Sequence, residues 1–253
     1  MDNTAKFTGR AQVYAASRPG YAPEFFDYME QSLNLPSGSV IADIGSGTGK
    51  FTAQLLERGY TVYAVEPNAD MRRKAEELLA GNPGFHSVDG RDSAFGLPAE
   101  LEGTVDCVTA AQAFHWFDAA AFAEECRRFL KPCGYVVLVY NHRDADVPVI
   151  RENAEICRTY CPGFTGFSHG MDAADFEGFF RGSCQTIRFD NSLEYDCDML
   201  INRMLSASYG LKDTDEGYGE FLAALRKLFE KYQENGRMRI PNCTAAYYGT
   251  VVG

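Results

Sequence analysis

Apolar residues recur along this chain at two alternating spacings, and the alternation predicts its elements. From Pro23, the residues Phe25, Met29 and Leu33 fall at helical spacing, and Pro36-Ser37-Gly38 reads as the end of that helix. Val40 to Ile44 is a short apolar run that stops at Gly45-Ser46-Gly47-Thr48-Gly49. Phe51, Leu55 and Leu56 return to helical spacing until Gly59, and Thr61 to Val65, rich in β-branched side chains, reads as a second strand. Asn68 is placed to cap a helix with Met71, Ala75, Leu78 and Leu79 on one face, closed by Gly81. Phe85 to Val88 and Val105 to Ala110 read as a third and a fourth strand. Asp118 caps a helix whose apolar face is Phe122, Cys126 and Phe129. Lys131-Pro132 stops it, and Tyr135 to Tyr140 is an apolar fifth strand.

Nearly continuous apolar strands between amphipathic helices predict an α/β fold with a doubly wound, mostly parallel, seven-stranded sheet covered on both faces. Its ligand crevice lies at the carboxyl ends of the strands. After residue 141 the rhythm changes. Helices are predicted over 148–160 and 172–181, a strand near Thr186 to Tyr195, and a helix around 198–207. Another helix carries Phe221, Leu222, Leu225, Leu228, Phe229 and Tyr232 on one stripe, and a last strand runs near Thr244 to Val252. The whole chain reads as one domain. Residues 36–141 form its core, 142–183 and 196–236 a helical lid over the crevice, and 184–195 and 243–252 the last strands.

Charge and cysteine content narrow the function classes. With 35 acidic and 24 basic side chains the formal net charge is -11, which argues against a nucleic-acid partner, since phosphate neutralisation needs a basic face. No apolar run reaches membrane-spanning length and none resembles a signal peptide, so the expectation is a cytoplasmic protein without a membrane partner. The 8 cysteines contain no C-x-x-C pair and read as small buried hydrophobes of a reducing compartment. Cys157 and Cys161 share a helix face with His169 nearby, but no further ligand pair of zinc-like spacing follows, and no metal site is predicted.

The strongest chemical signal is Asp43-Ile44-Gly45-Ser46-Gly47-Thr48-Gly49 between a strand and a helix. Glycines there let the backbone turn tightly and approach a ligand closely. Glu66 stands 21 residues after Gly45, at the end of the second strand, where a carboxylate can accept both hydroxyls of a ribose. A dinucleotide fingerprint would read G-x-G-x-x-G, whereas the third glycine here comes one residue early, at Gly49, and Lys50 takes the fingerprint's place. Asp43 beside the loop repels a pyrophosphate and suits a cationic ligand such as a sulfonium. These features favour S-adenosylmethionine, with S-adenosylhomocysteine as product, over a nicotinamide dinucleotide.

The sequence resembles the class I S-adenosylmethionine-dependent methyltransferases, and more narrowly the type 11 methyltransferase-domain group that includes trans-aconitate-methyltransferase-like proteins. The residues that carry the resemblance are Phe7 to Arg10, Tyr14, Arg18 to Tyr21, the 43–49 loop and Ala64 to Asn68 with Met71. Ala111 to Asp118, Leu130 to Gly134 and Leu205 to Tyr209 complete the set. The resemblance implies that Asp43, Gly45, Ser46, Gly47, Thr48 and Gly49 hold the methionine part of the cofactor. It implies that Glu66 takes the ribose hydroxyls and that Pro67, Asn68 and Met71 shape the adenine side. Ala110, Ala111 and Gln112 complete the cofactor wall. Relatives place an acidic residue after the third strand to meet the adenine amine. That place falls here at Ser93, with Asp92 one residue early, so either Asp92 or the Ser93 amide does the reading. Residues 1–35 would form an N-terminal cap, with Tyr14 and Arg18 folded over the cofactor.

On the acceptor side His115, Trp116, Asn141 and Arg143 follow the fourth and fifth strands. His115 is the candidate general base, against a histidine that only shapes the pocket. Trp116 is either pocket wall or core, and Arg143 either meets an acidic substrate or sits in a solvated loop. The expected activity is methyl transfer to a small molecule, with a small organic acid the leading acceptor class and a monomer or homodimer as the working unit. The alternatives are an NAD(P)-dependent oxidoreductase on a Rossmann-like fold and a regulatory protein that binds the cofactor without catalysis.

Overall fold

A computed structural model describes residues 20–167, 173–181, 183–207 and 209–251. Tyr14, Arg18 and His169 lie outside the described residues. The first helix among the described residues is α1 (Pro23–Gln31), which opens on a proline and buries Phe25, Phe26 and Met29. This helix stops five residues short of the proline expected to end it. Asn34 adopts a left-handed φ of 53°, which turns Leu33 and Leu35 back under the helix as buried residues.

The central unit then alternates strand and helix except between its third and fourth strands, where only a 3-10 turn intervenes. Its strands are β1 (Val40–Ile44), β2 (Thr61–Val65), β3 (Phe85–Val88), β4 (Val105–Ala111) and β5 (Leu130–His142). The helices α2 (Lys50–Glu57), α3 (Ala69–Leu79) and α4 (Ala119–Phe129) connect them, with short 3-10 turns at Ala99–Leu101 and Phe114–Trp116. Two caps work as the sequence predicts. Asn68 accepts from the amides of Asp70 and Met71, and Asp118 from those of Ala120 and Ala121. Leu78 departs from the predicted apolar face of α3: it is 58% exposed, because Met71 and Ala75 alone carry the buried stripe there.

The seven-stranded sheet has the order β3-β2-β1-β4-β5-β9-β6, where β6 is Gln185–Asp190 and β9 is Cys243–Gly249. The first five strands run parallel, and β9 lies antiparallel between β5 and β6. Successive residues of one strand feed opposite faces. Ala42, Ile44, Val136 and Leu138 join a cluster with Phe122, Cys126 and Phe129 of α4, whereas Ile41, Val137 and Val139 join Phe25, Phe51 and Leu55 of α1 and α2. Burial on both faces is why these strands read as continuous apolar runs.

The segment predicted as one strand near Thr186 to Tyr195 is two. It breaks at Asn191, and β7 (Leu193–Tyr195) pairs instead with β8 (Met238–Ile240) in a separate antiparallel ribbon that the sequence pattern did not reveal. Helices α5 (Pro148–Tyr160), α7 (Cys197–Leu205) and α8 (Tyr218–Tyr232) pack with this ribbon around a third cluster that includes Ile150, Cys157, Leu200, Phe221 and Leu225. The short helix α6 (Ala173–Phe179) belongs to the sheet instead: its Phe176 stacks on Tyr247 at 3.9 Å. Among the described residues no helix is long and apolar enough to cross a membrane.

Candidate active site

The chain passes from β1 outward to β2 and β3, then returns to the other side of β1 as β4, so the order reverses between β1 and β4. Such a switch leaves a crevice between the two carboxyl ends. The glycine loop enters it from β1 and residues 112–117 from β4. Gly45, Gly47 and Gly49 all have positive φ, but for different reasons. A Cβ on Gly45 would stand 2.7 Å from Ala113 Cβ, and one on Gly49 2.7 Å from Leu79 Cδ1, so both are needed for close packing. A Cβ on Gly47 would meet nothing within 4 Å. The left-handed residue at the loop's crest therefore faces open space, as a backbone cradle for a ligand does.

The register β1·β4 sets Thr109 beside Asp43, and the first turns of α2 bring Thr52 over it. Thr52 Oγ1 donates to Asp43 Oδ2 at 2.7 Å and Thr109 Oγ1 to Oδ1 at 3.0 Å. The carboxylate is fully covered, which corrects the expectation of direct contact with a ligand: its charge reaches the loop as a field, through the backbone it braces. Burial pushes its pKa up to about 6; the two threonine hydroxyls oppose that, and the Glu66 charge adds a smaller upward push. Neither threonine was singled out in the sequence, because only strand register and helix packing bring them to Asp43.

Glu66 ties the end of β2 to the crest of the loop. Its Oε2 accepts from Gly47 N at 2.9 Å and its Oε1 from Asn68 N at 2.8 Å, and it is only 9% exposed. Burial raises its pKa, while the two amides and Arg72 hold it down. Each oxygen retains a lone pair for a further donor. Arg72, also unforeseen, donates to the Glu66 carbonyl at 2.7 Å and pairs with Asp89, fixing this corner. Asn68 spends its Oδ1 on capping α3, and Met71 is buried beneath. Pro67 is half-buried beside them.

Across the crevice, Asp92 and Ser93 occupy a tight turn closed by reciprocal bonds between Arg91 and Ala94. Ser93 is exposed, and Asp92 Oδ2 accepts from Asp118 N at 2.7 Å, so Asp92 also anchors the start of α4. Ala110 is buried in β4, Ala111 is half-buried at its end, and Gln112 takes a positive φ of 55°. A non-glycine residue in that conformation carries backbone strain of the kind concentrated at ligand sites. Its amide bonds Val139 O at 2.8 Å, which holds the turn against β5.

His115 N donates to Tyr140 Oη at 3.2 Å, and its Nδ1 lies 3.4 Å from the same oxygen. Burial raises the Tyr140 pKa, so the phenol keeps its proton and fixes the imidazole. Trp116 lies against His115 with ring centroids 4.7 Å apart and is half-buried, outside the fully buried core. Asn141 is engaged within the fold: its Nδ2 donates to Gly20 O at 3.0 Å, and its Oδ1 accepts from Thr244 at 2.8 Å and Asn191 at 3.1 Å. It therefore positions the chain near Gly20 and is not available to an acceptor as the sequence suggested. Arg143 is half-buried with its guanidinium over the Phe167 ring at 4.5 Å, and its Nη1 is buried with no hydrogen-bond partner among the described residues.

Residues 42–138 match a family model described as a methyltransferase domain. An uncharacterized methyltransferase of Mycobacterium bovis is 36% identical over 156 residues, covering 61% of this chain and 60% of the relative's own length. An uncharacterized methyltransferase of Schizosaccharomyces pombe is 30% identical over 197 residues, covering 77% and 75%. Among solved structures, one described as a type II methyltransferase from Anaeromyxobacter dehalogenans superposes with a TM-score of 0.67 at 20% identity, over 93% of this chain and 98% of that one. A S-adenosylmethionine-dependent methyltransferase from Thiobacillus denitrificans, in complex with S-adenosylhomocysteine, gives 0.51 at 18% identity over 93% and 96%. These two likenesses show the α/β fold of the chain, a mostly parallel seven-stranded sheet with one antiparallel strand. By the relatedness of its sequence, the chain belongs to the methyltransferase family.

Proposed function

We propose that this chain transfers the methyl group of S-adenosylmethionine to a small molecule, releasing S-adenosylhomocysteine, and that the acceptor is a small organic acid. The observation that carries the reading is the Gly47–Glu66 link, which sets a left-handed, open loop crest next to a buried carboxylate with lone pairs to spare. That pair fits a ligand with a ribose diol beside a small cationic amino-acid group. The buried charge of Asp43 behind the loop disfavours a pyrophosphate there and favours a sulfonium or ammonium. The bound S-adenosylhomocysteine of the Thiobacillus denitrificans structure supports the same reading.

In this reading Glu66 accepts from the ribose, Gly45 to Gly49 cradle the methionine part, and Gln112 walls the crevice. Asp92 or the Ser93 amide reads the adenine amine. S-adenosylmethionine would supply a methyl group on positively charged sulfur, the acceptor lone pair forming the new bond to the methyl carbon as the C–S bond breaks with its electrons going to sulfur. The protein then has to align the acceptor and exclude water. His115, held by Tyr140, is a positioning group for a carboxylate acceptor, because an ionised carboxylate has no proton to lose. Arg143, with no carboxylate partner among the described residues, is the group that meets an acidic acceptor. The helices after β5 cover the crevice in this reading.

Titration calorimetry tests the donor. S-adenosylhomocysteine is expected to bind, and Glu66→Ala to weaken it about ten- to a hundredfold through the loss of charge-assisted bonds. Binding of NAD with none of S-adenosylhomocysteine overturns the assignment. Binding without label transfer to any member of a broad acceptor panel turns the reading into that of a regulatory protein.

A further inference from the structure

We infer that Arg143 and Asn153 form a subsite for an anionic oxygen group of the acceptor, and that this group is the acceptor's handle and not the atom methylated. The inference rests on the methyltransferase reading and adds a specificity determinant from the helical layer. Asn153 lies on α5, is 1% exposed, and its Nδ2 has no hydrogen-bond partner among the described residues. Its Oδ1 takes only the weak Cys157 thiol donor, at 3.8 Å. Arg143 Nη1 is likewise buried and unpartnered. Both groups border one apolar cluster: Asn153 touches Cys157 within it, and the Arg143 guanidinium lies over Phe167, which packs against it. The Arg143 guanidinium is folded against Phe167, which packs on Phe164 and through it on Tyr209.

Buried donors without an acceptor are rare and costly, and both orphaned atoms, the guanidinium Nη1 and the amide Nδ2, are donors. The carboxylates of α5 do not fill it: Glu152 is held by Lys231 and Tyr232 on α8, and Glu155 is exposed. What both donors lack is an acceptor, and a forked guanidinium together with an amide N–H matches a carboxylate. A carboxylate held there has its charge neutralised and its lone pairs occupied, which makes it a poor nucleophile. The acceptor therefore carries this acid group in addition to the nucleophilic atom.

The experiment compares wild type, Asn153→Leu and Arg143→Met, each saturated with S-adenosylhomocysteine. The probes are glutarate, tricarballylate, monomethyl glutarate, dimethyl glutarate and inorganic sulfate. The acids and the half-ester are expected to bind the wild type, and the diester and sulfate are not. Each substitution is expected to weaken the acids about ten- to a hundredfold with S-adenosylhomocysteine affinity unchanged. Asn153→Leu removes an unpaired buried amide, so its melting temperature without acid is expected to equal or exceed that of wild type; a purely structural Asn153 would lower it. With labelled S-adenosylmethionine, glutarate is expected to gain one methyl and its half-ester none. Equal binding of the acids to all three proteins, equal protection by sulfate, or formation of the diester overturns the inference while leaving the donor assignment intact. Failure of wild type to bind S-adenosylhomocysteine overturns the underlying reading instead.

Discussion

Asp43 carries an acid group in a place where water cannot reach it, and that sets its titration. The spacing to the glycine loop marked the residue, but its burial follows from register with Thr109 and from the placement of α2. Its pKa is about 6, above the ordinary 3.8, so the folded protein binds the proton more tightly than the unfolded chain. The stability this gives is present in full below the ordinary pKa and is lost as the pH rises through about 6. The shift corresponds to about 2–3 kcal/mol. Asp43→Asn removes the titration while keeping the shape. Its stability relative to wild type, measured by urea unfolding, is expected to rise by that amount between pH 4 and pH 7.5. A constant difference across that window contradicts the account.

At the level of elements, the caps were legible because they are local. Asn68 and Asp118 satisfy amides two and three residues ahead, a pattern that depends on sequence distance alone. Asp118 does more than the sequence indicates, because its own amide is held by Asp92 from the turn after β3. Asp118→Ala is expected to cost about 1 kcal/mol, read as a fall of about 2–4 °C in melting temperature for a chain of this size. The split of the strand expected near Thr186 to Tyr195 was not legible. Its residues keep an extended pattern throughout, and the break at Asn191 exists because β9 ends as a partner at Cys243 and a different strand, β8, takes over.

Across the whole molecule, two clusters sandwich the sheet and a third holds the helical layer with its own ribbon. Phe221 is fully buried in the third and touches neither the loop nor Glu66 in any bond described above. Phe221→Ala is expected to destabilise by about 3–5 kcal/mol. Because the layer supplies Asn153, methyl transfer to acceptor is expected to fall while S-adenosylhomocysteine affinity stays within about twofold. Calorimetry and label transfer on the same preparation separate the two, and a parallel loss of cofactor binding contradicts the division of labour.

What the sequence by itself determined are the features encoded within a few residues: the order of strands and helices as far as β5, the glycine loop, the caps, and Glu66 at the end of β2. Periodicity, capping and turn chemistry act over such distances, so one chain suffices to read them. Tertiary structure alone decided what depends on contacts between distant segments. Register made Asp43 a covered brace with Thr52 and Thr109 as its donors. The meeting of β5, β9 and the chain at Gly20 bound Asn141 inside the fold. Packing after β5 left Asn153 and Arg143 with buried donors and no acceptor among the described residues, because hydrogen-bond partners are assigned by the folded neighbourhood and not by position along the chain.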